Sequence, residues 1–368
     1  MARTRSPRSR PAFSGWLRGL AAATAFVVGA GLIGFVATEA GAQTPVGQGR
    51  LDVGAITSDV NPAVAVINTT LAGGQGEAAG TGMVIGSSGE VLTNNHVIEN
   101  ASSVRVKFGG SGRSYSAEVL GYNVPEDVAL LKVDGVSGLD TVETDDSVSV
   151  GEPVVALGNG GGRGGTPDAT TGSVRAVGET IEVADSAGSQ TLRNLIQVDA
   201  ALEPGDSGGP LVDADGEVVG MNTAASSNGF RLRTGSGSGV GYAVPIKTAL
   251  AVAEQIKSGE GSGDTHVGER AFLGVSIRTL RAGTVPGGGT SRSGAVVAGV
   301  QSDSPADDAG IQQGDVIVSL AGRRITSIDD LTSALAPHHP RDKVEVGWTD
   351  ESGDRHTAQV SLASGPPA

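Results

Sequence analysis

The sequence predicts a mostly β protein, an all-β first domain followed by a smaller α+β domain, and three observations predict it. Glycine accounts for 59 of 368 residues, about 16% against an average near 7%, without the Gly-X-Y period of collagen. Short Val- and Ile-rich runs recur between glycine turns as far as residue 245, the pattern of a barrel or sandwich. Beyond residue 268 such runs are mixed with two segments that open on helix-capping residues.

The chain begins with a leader. Arg3, Arg5, Arg8, Arg10 and Arg18 precede an uncharged run over 19–38, and Ala40-Gly41-Ala42 supplies a small-x-small cleavage site. Residues 1–42 therefore read as a secretory signal peptide or, because the run approaches the length of a membrane span, an N-terminal membrane anchor. No Arg-Arg pair precedes the run, which favours the general secretory route. Either way the chain is exported, to the cell envelope or beyond.

The first domain covers 55–258. Runs at 63–67, 82–85, 91–93, 104–108, 128–133, 154–157, 196–198, 211–212 and 218–222 read as its strands. Turns fall at Ser87-Ser88-Gly89 and Ala214-Asp215-Gly216. Asp213 to Glu217 lacks the remaining positions of a calcium loop and reads as a hairpin. One helix closes the domain: Pro245 suits its first position, 246–257 carry one apolar face, and Gly259 suits the residue just past its end. The segment 158–167 reads as a mobile loop without a phosphate-cradle pattern. Residues 259–268 are polar and Gly/Ser-rich, a linker, and 269–365 form the second domain, with helices over 303–309 and 327–335.

Charge and composition exclude several functions. The first 42 residues carry a net +4, so the remainder carries −18 of the overall −14. Such a surface repels nucleic acid and anionic lipid. With no cysteine, disulfides, thiol catalysis and Cys-based zinc sites are absent. No metal or cofactor is implied.

One turn carries chemistry. Gly205-Asp-Ser-Gly-Gly-Pro210 lies between two strand-like runs, where glycines let backbone N–H groups converge on one point beside an exposed hydroxyl. Ser207 is the candidate nucleophile, and the Gly205–Ser207 stretch, including Asp206, is the candidate oxyanion hole, with the N–H groups of Gly205 and Ser207 as donors. The nucleophile needs a base, and His96 is the one histidine before residue 266. For the orienting carboxylate, Asp127 immediately precedes the buried-strand run 128–133, with Asp134 at its other end as the rival. The order His, Asp, Ser is one of three known orders for such a triad.

These residues resemble the trypsin-like serine proteases with a C-terminal PDZ domain, the HtrA/Deg family. The resemblance rests on Thr93-Asn-Asn-His-Val97, Asp127-Val-Ala-Leu-Leu131, Gln197-Val-Asp-Ala-Ala-Leu-Glu-Pro-Gly-Asp-Ser-Gly-Gly-Pro210 and Gly239-Val-Gly-Tyr-Ala-Val-Pro245. It spans about 55–365 and is strongest toward secreted actinobacterial, mycobacterial-type members. It implies a chymotrypsin-like fold of two six-stranded β-barrels with the triad in the cleft between them. In the second domain Phe272-Leu-Gly-Val275 resembles the PDZ carboxylate-binding loop, so Phe272, Leu273, Gly274 and Val275 are the candidate contacts for peptide C-termini. Alignment on the serine motif puts Ala201 at the floor of the primary specificity pocket, with Thr223, Ala224, Ala225 and Val240 as walls. The uncharged floor and β-branched wall imply cleavage after small aliphatic residues.

Two departures stand out. Asp206 occupies a position where many family members have Asn, and no Ile-Val-Gly-Gly start exists to supply it with a cut N-terminus. Family trimers use aromatic residues near the mature N-terminus, yet 43–107 contain no Phe, Tyr or Trp, so a homo-oligomer lacks its usual contacts. The expectation is an exported serine endopeptidase acting on unfolded or damaged polypeptides and binding peptide C-termini through its PDZ domain. The alternatives are a non-catalytic, chaperone-like peptide binder that retains the fold, against which the intact triad argues, and an esterase using the same triad, which the peptide-binding domain makes less natural.

Overall fold

The computed structural model describes residues 51–72, 76–184, 189–223, 231–232, 239–259, 261–278 and 294–367. The expected leader lies outside the described residues, as do Ala224 and Ala225. Among the described residues no helix is long and apolar enough to cross a membrane.

The first barrel is built from β1 (Val64–Leu71), β2 (Glu77–Gly86), β3 (Glu90–Thr93), β4 (Ala101–Phe108), β5 (Tyr115–Asn123) and β6 (Val128–Val133). They run in the order β5-β4-β1-β2-β3-β6, and a β5–β6 pairing closes the sheet. The second contains β7 (Pro153–Gly158), β8 (Asp168–Ala184), β9 (Ser189–Val198), β10 (Pro210–Val212), β11 (Val218–Thr223), the short β12 (Arg231–Leu232) and β13 (Gly241–Pro245). Its order is β12-β8-β7-β10-β11-β13-β9, closed by β8–β9. Setting β12 aside as an extension on β8, each barrel has six strands.

Burial explains why the strands read as unbroken apolar runs. In β1, Ala65 and Ile67 fill the first barrel while Val64 enters a core shared with the second. In β6, Ala129, Leu131 and Val133 point inward, and Val128 and Leu130 point to the shared core. The second barrel repeats this, with Val154 and Ala156 inside and Val155 and Leu157 at the shared core. A strand buried on both faces needs apolar residues at every position, which erases the period-two signal. β5 and β8 went unrecognised for the opposite reason: β5 is mostly half-exposed and β8 is long, polar and glycine-interrupted.

Helices close the assembly. α1 (Val53–Val60), not anticipated, is capped by Asp52, whose Oδ1 accepts the Ala55 N–H at 3.1 Å, and buries Ile56 and Val60 in the shared core. The single turn α2 (Asn95–Ile98) follows β3. α3 (Ile246–Ser258) ends at Gly259, whose φ of 75° is the left-handed cap expected of it; Pro245 is its N-cap rather than its first residue. The turn at Asp213 is the β10–β11 hairpin, with Asp213 Oδ1 accepting the N–H groups of Asp215 and Glu217, both at 2.9 Å.

The stretch expected as a linker is not free of structure. Within it β14 (Thr265–Val267) adds to the first barrel at the β5 edge, pairing Thr265 with Asn123 and Val267 with Gly121. The Asn123 side-chain amide donates to Thr265 Oγ1 at 2.9 Å, and that hydroxyl donates to Gln255 Oε1 at 3.0 Å.

The second domain contains β15 (Arg270–Phe272), β16 (Val275–Arg278), β17 (Ala295–Val300), α4 (Pro305–Asp308), β18 (Val316–Leu320), β19 (Arg323–Arg324), α5 (Ile328–Leu335), β20 (Lys343–Thr349), β21 (Arg355–Ser361) and β22 (Ala363–Gly365). The main sheet is ordered β16-β17-β18-β20-β21, with β19 on β18, and β15 pairs β22. Ser304 and Ser327 cap α4 and α5 by accepting the N–H groups of Asp307 and Asp330. A core of Leu273, Ile317, Leu331, Val346 and Trp348 holds sheet and helices together.

Candidate active site

The histidine and its carboxylate are placed by strand register. β3 pairs β6 so that Thr93 faces Ala129, which sets the residues just past β3 beside those just before β6. Asp127 sits there at φ 53°, a left-handed conformation that Asp adopts more readily than most residues. The Asn94 side chain donates to its carbonyl at 2.9 Å, and Asp127 Oδ1 accepts the His96 N–H at 3.1 Å. His96 Nδ1 lies 3.0 and 2.9 Å from the two Asp127 oxygens. A carboxylate at Nδ1 holds the tautomer that leaves Nε2 unprotonated, a base facing outward. Burial pushes the His96 imidazole down, but the Asp127 charge and hydrogen bond outweigh it and the net shift is upward. Asp134, the rival, is exposed at the far end of β6, its N–H donating to Ser116.

A third group holds the carboxylate from the opposite barrel. The Thr223 hydroxyl donates to Asp127 Oδ2 at 2.8 Å, both side chains buried. Thr223, expected as a pocket wall, orients the aspartate through its hydroxyl. β11 carries it there, because β11 pairs β10 and β10 starts at Pro210, just past the serine.

Ser207 is locked against the first barrel. Its carbonyl accepts the Thr81 N–H at 2.8 Å. A Cβ on Gly208, whose φ is 85°, would lie 2.3 Å from Thr93 Oγ1 and 2.1 Å from the Thr81 carbonyl, so only glycine lets the serine turn approach the segment that leads to His96. Thr81 went unrecognised and is the hub of this contact. Its hydroxyl donates to the Gly205 carbonyl at 2.6 Å and accepts the Asn159 N–H at 2.9 Å, and its own carbonyl accepts the Thr93 hydroxyl at 2.6 Å.

The oxyanion-hole geometry follows from where carbonyls are tied. The Pro204 carbonyl accepts the Gly161 N–H at 2.7 Å, and in a planar trans peptide the Gly205 N–H then points the other way. No acceptor among the described residues takes the N–H of Gly205 or Ser207, leaving both for an oxyanion. Asp206, within the expected oxyanion-hole stretch, offers no free donor, since its N–H is given to the Glu203 carbonyl at 3.1 Å. Residues 158–167, expected as a mobile loop, contain a short helical turn braced by the Gly161–Pro204 bond and by the Gly164 N–H donating to Asn159 Oδ1 at 2.8 Å.

At the specificity positions, Ala201 is exposed and Val240 half-buried. Leu202, not anticipated, packs on the second barrel's core and over Gly241, where an added Cβ would lie 2.7 Å from its side chain. The signal was available: it is the large apolar residue beside the aligned pocket floor.

In the second domain the carbonyls of Leu273 and Gly274 accept the N–H groups of Ala306 and Gln301, both at 2.9 Å, which turns the N–H groups of Gly274 and Val275 away. Leu273 is buried, and Phe272 and Val275 are half-buried. β16, which begins at Val275, pairs only with β17 and is the sheet's edge among the described residues. Among those residues the one group of carboxylates close enough to share a cation, Asp145, Asp213 and Glu217, lies at the β10–β11 hairpin and not beside His96.

The trypsin-like peptidase domain family matches residues 80–221 and the PDZ domain family matches 271–362. The chain is 35% identical over 292 residues to a probable periplasmic serine endoprotease DegP-like of Bartonella henselae, covering 78% of this chain and 54% of that protein. It is 32% identical over 327 residues to serine protease PepD of Mycobacterium tuberculosis, covering 83% and 65%. The chain belongs to the HtrA/Deg family of trypsin-like proteases with a PDZ domain. It spans about half to two thirds of the length of the curated family members it matches. Among solved structures, an HtrA-type protease AlgW with tripeptide matches at 30% identity and a TM-score of 0.48, covering 85% of this chain and 97% of that one.

Proposed function

We propose that this HtrA/Deg chain is an exported serine endopeptidase that cleaves unfolded or damaged polypeptides. The observation that carries the reading is the Thr223–Asp127–His96 hydrogen-bonded chain, together with the glycine-framed Ser207 turn bonded through Thr81 to the barrel that carries His96. Ser207 attacks the scissile carbonyl while His96 Nε2 takes its proton; Asp127, held by Thr223 and Asn94, keeps the imidazole oriented and stabilises the imidazolium. The N–H groups of Gly205 and Ser207 receive the oxyanion. His96 then protonates the leaving amine, and water hydrolyses the acyl-enzyme by the same route in reverse.

Residues 55–258 serve as the protease and 269–365 as a PDZ domain whose 272–275 loop holds a peptide carboxylate while the β16 edge pairs with the peptide. Leu202 joins Ala201 and Val240 in an uncharged, shallow primary pocket that favours Val or Ala before the cut. Residues 1–42 direct export, in keeping with the periplasmic relatives, and are then removed or retained as an anchor. Incubating an unfolded protein with the purified chain and with Ser207→Ala, and mapping the products by mass spectrometry, tests the reading. Cleavage lost in the variant is expected, mainly after small aliphatic residues. Equal cleavage by both would leave the chaperone-like alternative, and a majority of cuts after Lys, Arg, Phe or Tyr would refute the pocket.

A further inference from the structure

Asp206 is a buried acid one residue before Ser207. It is only 6% exposed. Its Oδ2 accepts the Glu203 N–H at 2.8 Å, its own N–H donates to the Glu203 carbonyl at 3.1 Å, and its carbonyl accepts the Gly209 N–H at 3.0 Å. One residue thus clasps both ends of the turn whose middle peptide, Pro204–Gly205, aims an N–H at the oxyanion site. Pro204 has no N–H to contribute, so the Asp206 side chain is the turn's one side-chain clasp from within.

On the serine-peptidase reading above, we propose that Asp206 is a positioning residue for the oxyanion hole, and that its carboxyl must be ionised to hold the 203–206 turn in its working orientation. Its surroundings make that ionisation costly. Gly158 packs directly on it, a Cβ there lying 2.4 Å from Asp206 Oδ1. The titratable groups facing it are Glu203 on its own turn and Asp168 at the start of β8, both acidic. Arg163, from the neighbouring turn, pairs with Glu203 at 3.7 Å, and both of those side chains are exposed. From β7 and β2 come Gly158 and Thr81, which do not titrate. Burial, opposed by the Glu203 N–H and assisted by the charges of Glu203 and Asp168, pushes the carboxyl up to about 6.

Ionised, Asp206 gives the Glu203 N–H a charge-assisted bond; protonated, it is a weaker acceptor and brings an O–H into a space bounded by backbone. The turn is therefore held best above the Asp206 transition, and His96 must also be neutral to act as base. Two protons then have to leave the free enzyme before it works.

The test uses the full chain and an internally quenched peptide with valine before the scissile bond. For the parent, log(kcat/KM) against pH should steepen toward a slope of 2 on the acid limb. Asp206→Asn keeps the shape and the acceptor without the titration, so its limb should have a slope of 1, set by His96 alone. A slope of 1 in both proteins would overturn the proposal. At pH 8, Asp206→Ala should lower kcat about 10²-fold with little change in KM, and Asn, uncharged at every pH like the protonated acid, should share most of that loss; a rise in KM at constant kcat, or an Asn variant as fast as the parent at pH 8, would also overturn it. Because Asn is isosteric, the slope comparison does not depend on the alanine variant folding. Failure of the underlying reading is distinguishable, since the parent would then cleave no better than Ser207→Ala at any pH.

Discussion

The nucleophile turn at 203–209 and the PDZ loop at 272–275 use the same device to different ends. In each, carbonyls tied to the protein turn N–H groups outward, and a glycine at positive φ makes the bend: Gly205 at 105° and Gly274 at 89°. The anchors differ. Gly205 is held by the Thr81 hydroxyl, 124 residues away in the other barrel, whereas the PDZ loop is held by Gln301 and Ala306 of its own small domain. On the proposed function, the site that would receive charge for an instant is braced across two barrels, and the one that would keep a stable carboxylate is braced locally at a sheet edge. Long-range bracing suits catalysis because donors already fixed need no reorganisation when the oxyanion forms.

The largest expected effect tests the catalytic side. Ser207→Ala and His96→Ala should each lose on the order of 10⁶ in kcat and Asp127→Ala roughly 10⁴, as in comparable triads; assays on an unfolded protein decide it, and a residual rate near the parent's would remove the site from the comparison. Next, Thr81→Val deletes the hydroxyl joining Gly205 and Asn159 while keeping the shape. A kcat loss of about 10²-fold is expected, together with roughly 1–3 kcal/mol of stability from stranded buried groups. If stability falls and kcat does not, the cross-barrel brace serves folding only.

On the PDZ side, Gly274→Ala places a Cβ 2.1 Å from that of Ser304 in a left-handed conformation. Affinity for a labelled C-terminal peptide, read by fluorescence anisotropy, should drop tenfold or more, and unaltered affinity would show that the peptide carboxylate sits elsewhere. A smaller effect concerns pH. The His96 pKa is raised in the folded chain, so its stabilising contribution is complete below the ordinary value near 6.5 and is lost as pH rises through the folded value. Activity runs the other way, since the neutral imidazole is the base. Unfolding midpoints of Ser207→Ala with and without His96→Ala should converge from pH 5 to 8, and parallel curves would contradict the shift. The smallest effect concerns the junction: protease should nick the 259–264 segment, but the β14–β5 pairing should keep the fragments together on gel filtration, and separation without denaturant would show that β14 does not hold.

The residues that fill the barrels could be read directly, because the runs 64–67 of β1, 128–131 of β6 and 154–157 of β7 are buried on both faces and had to be apolar. The chemistry was equally legible at Ser207, where the glycines around the nucleophile are required by backbone approach, and at His96, which has no competitor in its domain. β8 was illegible because an exposed strand asks little of its side chains. The bond from Thr223 to Asp127 and the role of Thr81 went unread for a shared reason: each is an unremarkable threonine whose partner, Asp127 or Gly205, lies about a hundred residues away.

The local pattern of apolar runs, glycines and caps by itself determined a β barrel or sandwich as the first domain, the closing helix and the serine turn, since each follows from forces acting within a few residues or from burial on a known face. Only the tertiary structure decided which hydroxyl orients Asp127, which N–H groups stay free beside Ser207, and that 265–267 join the first barrel. Those outcomes depend on which hydrogen-bonding groups meet when two barrels close on each other, and a hydroxyl or peptide N–H carries no mark in sequence of the partner it will find.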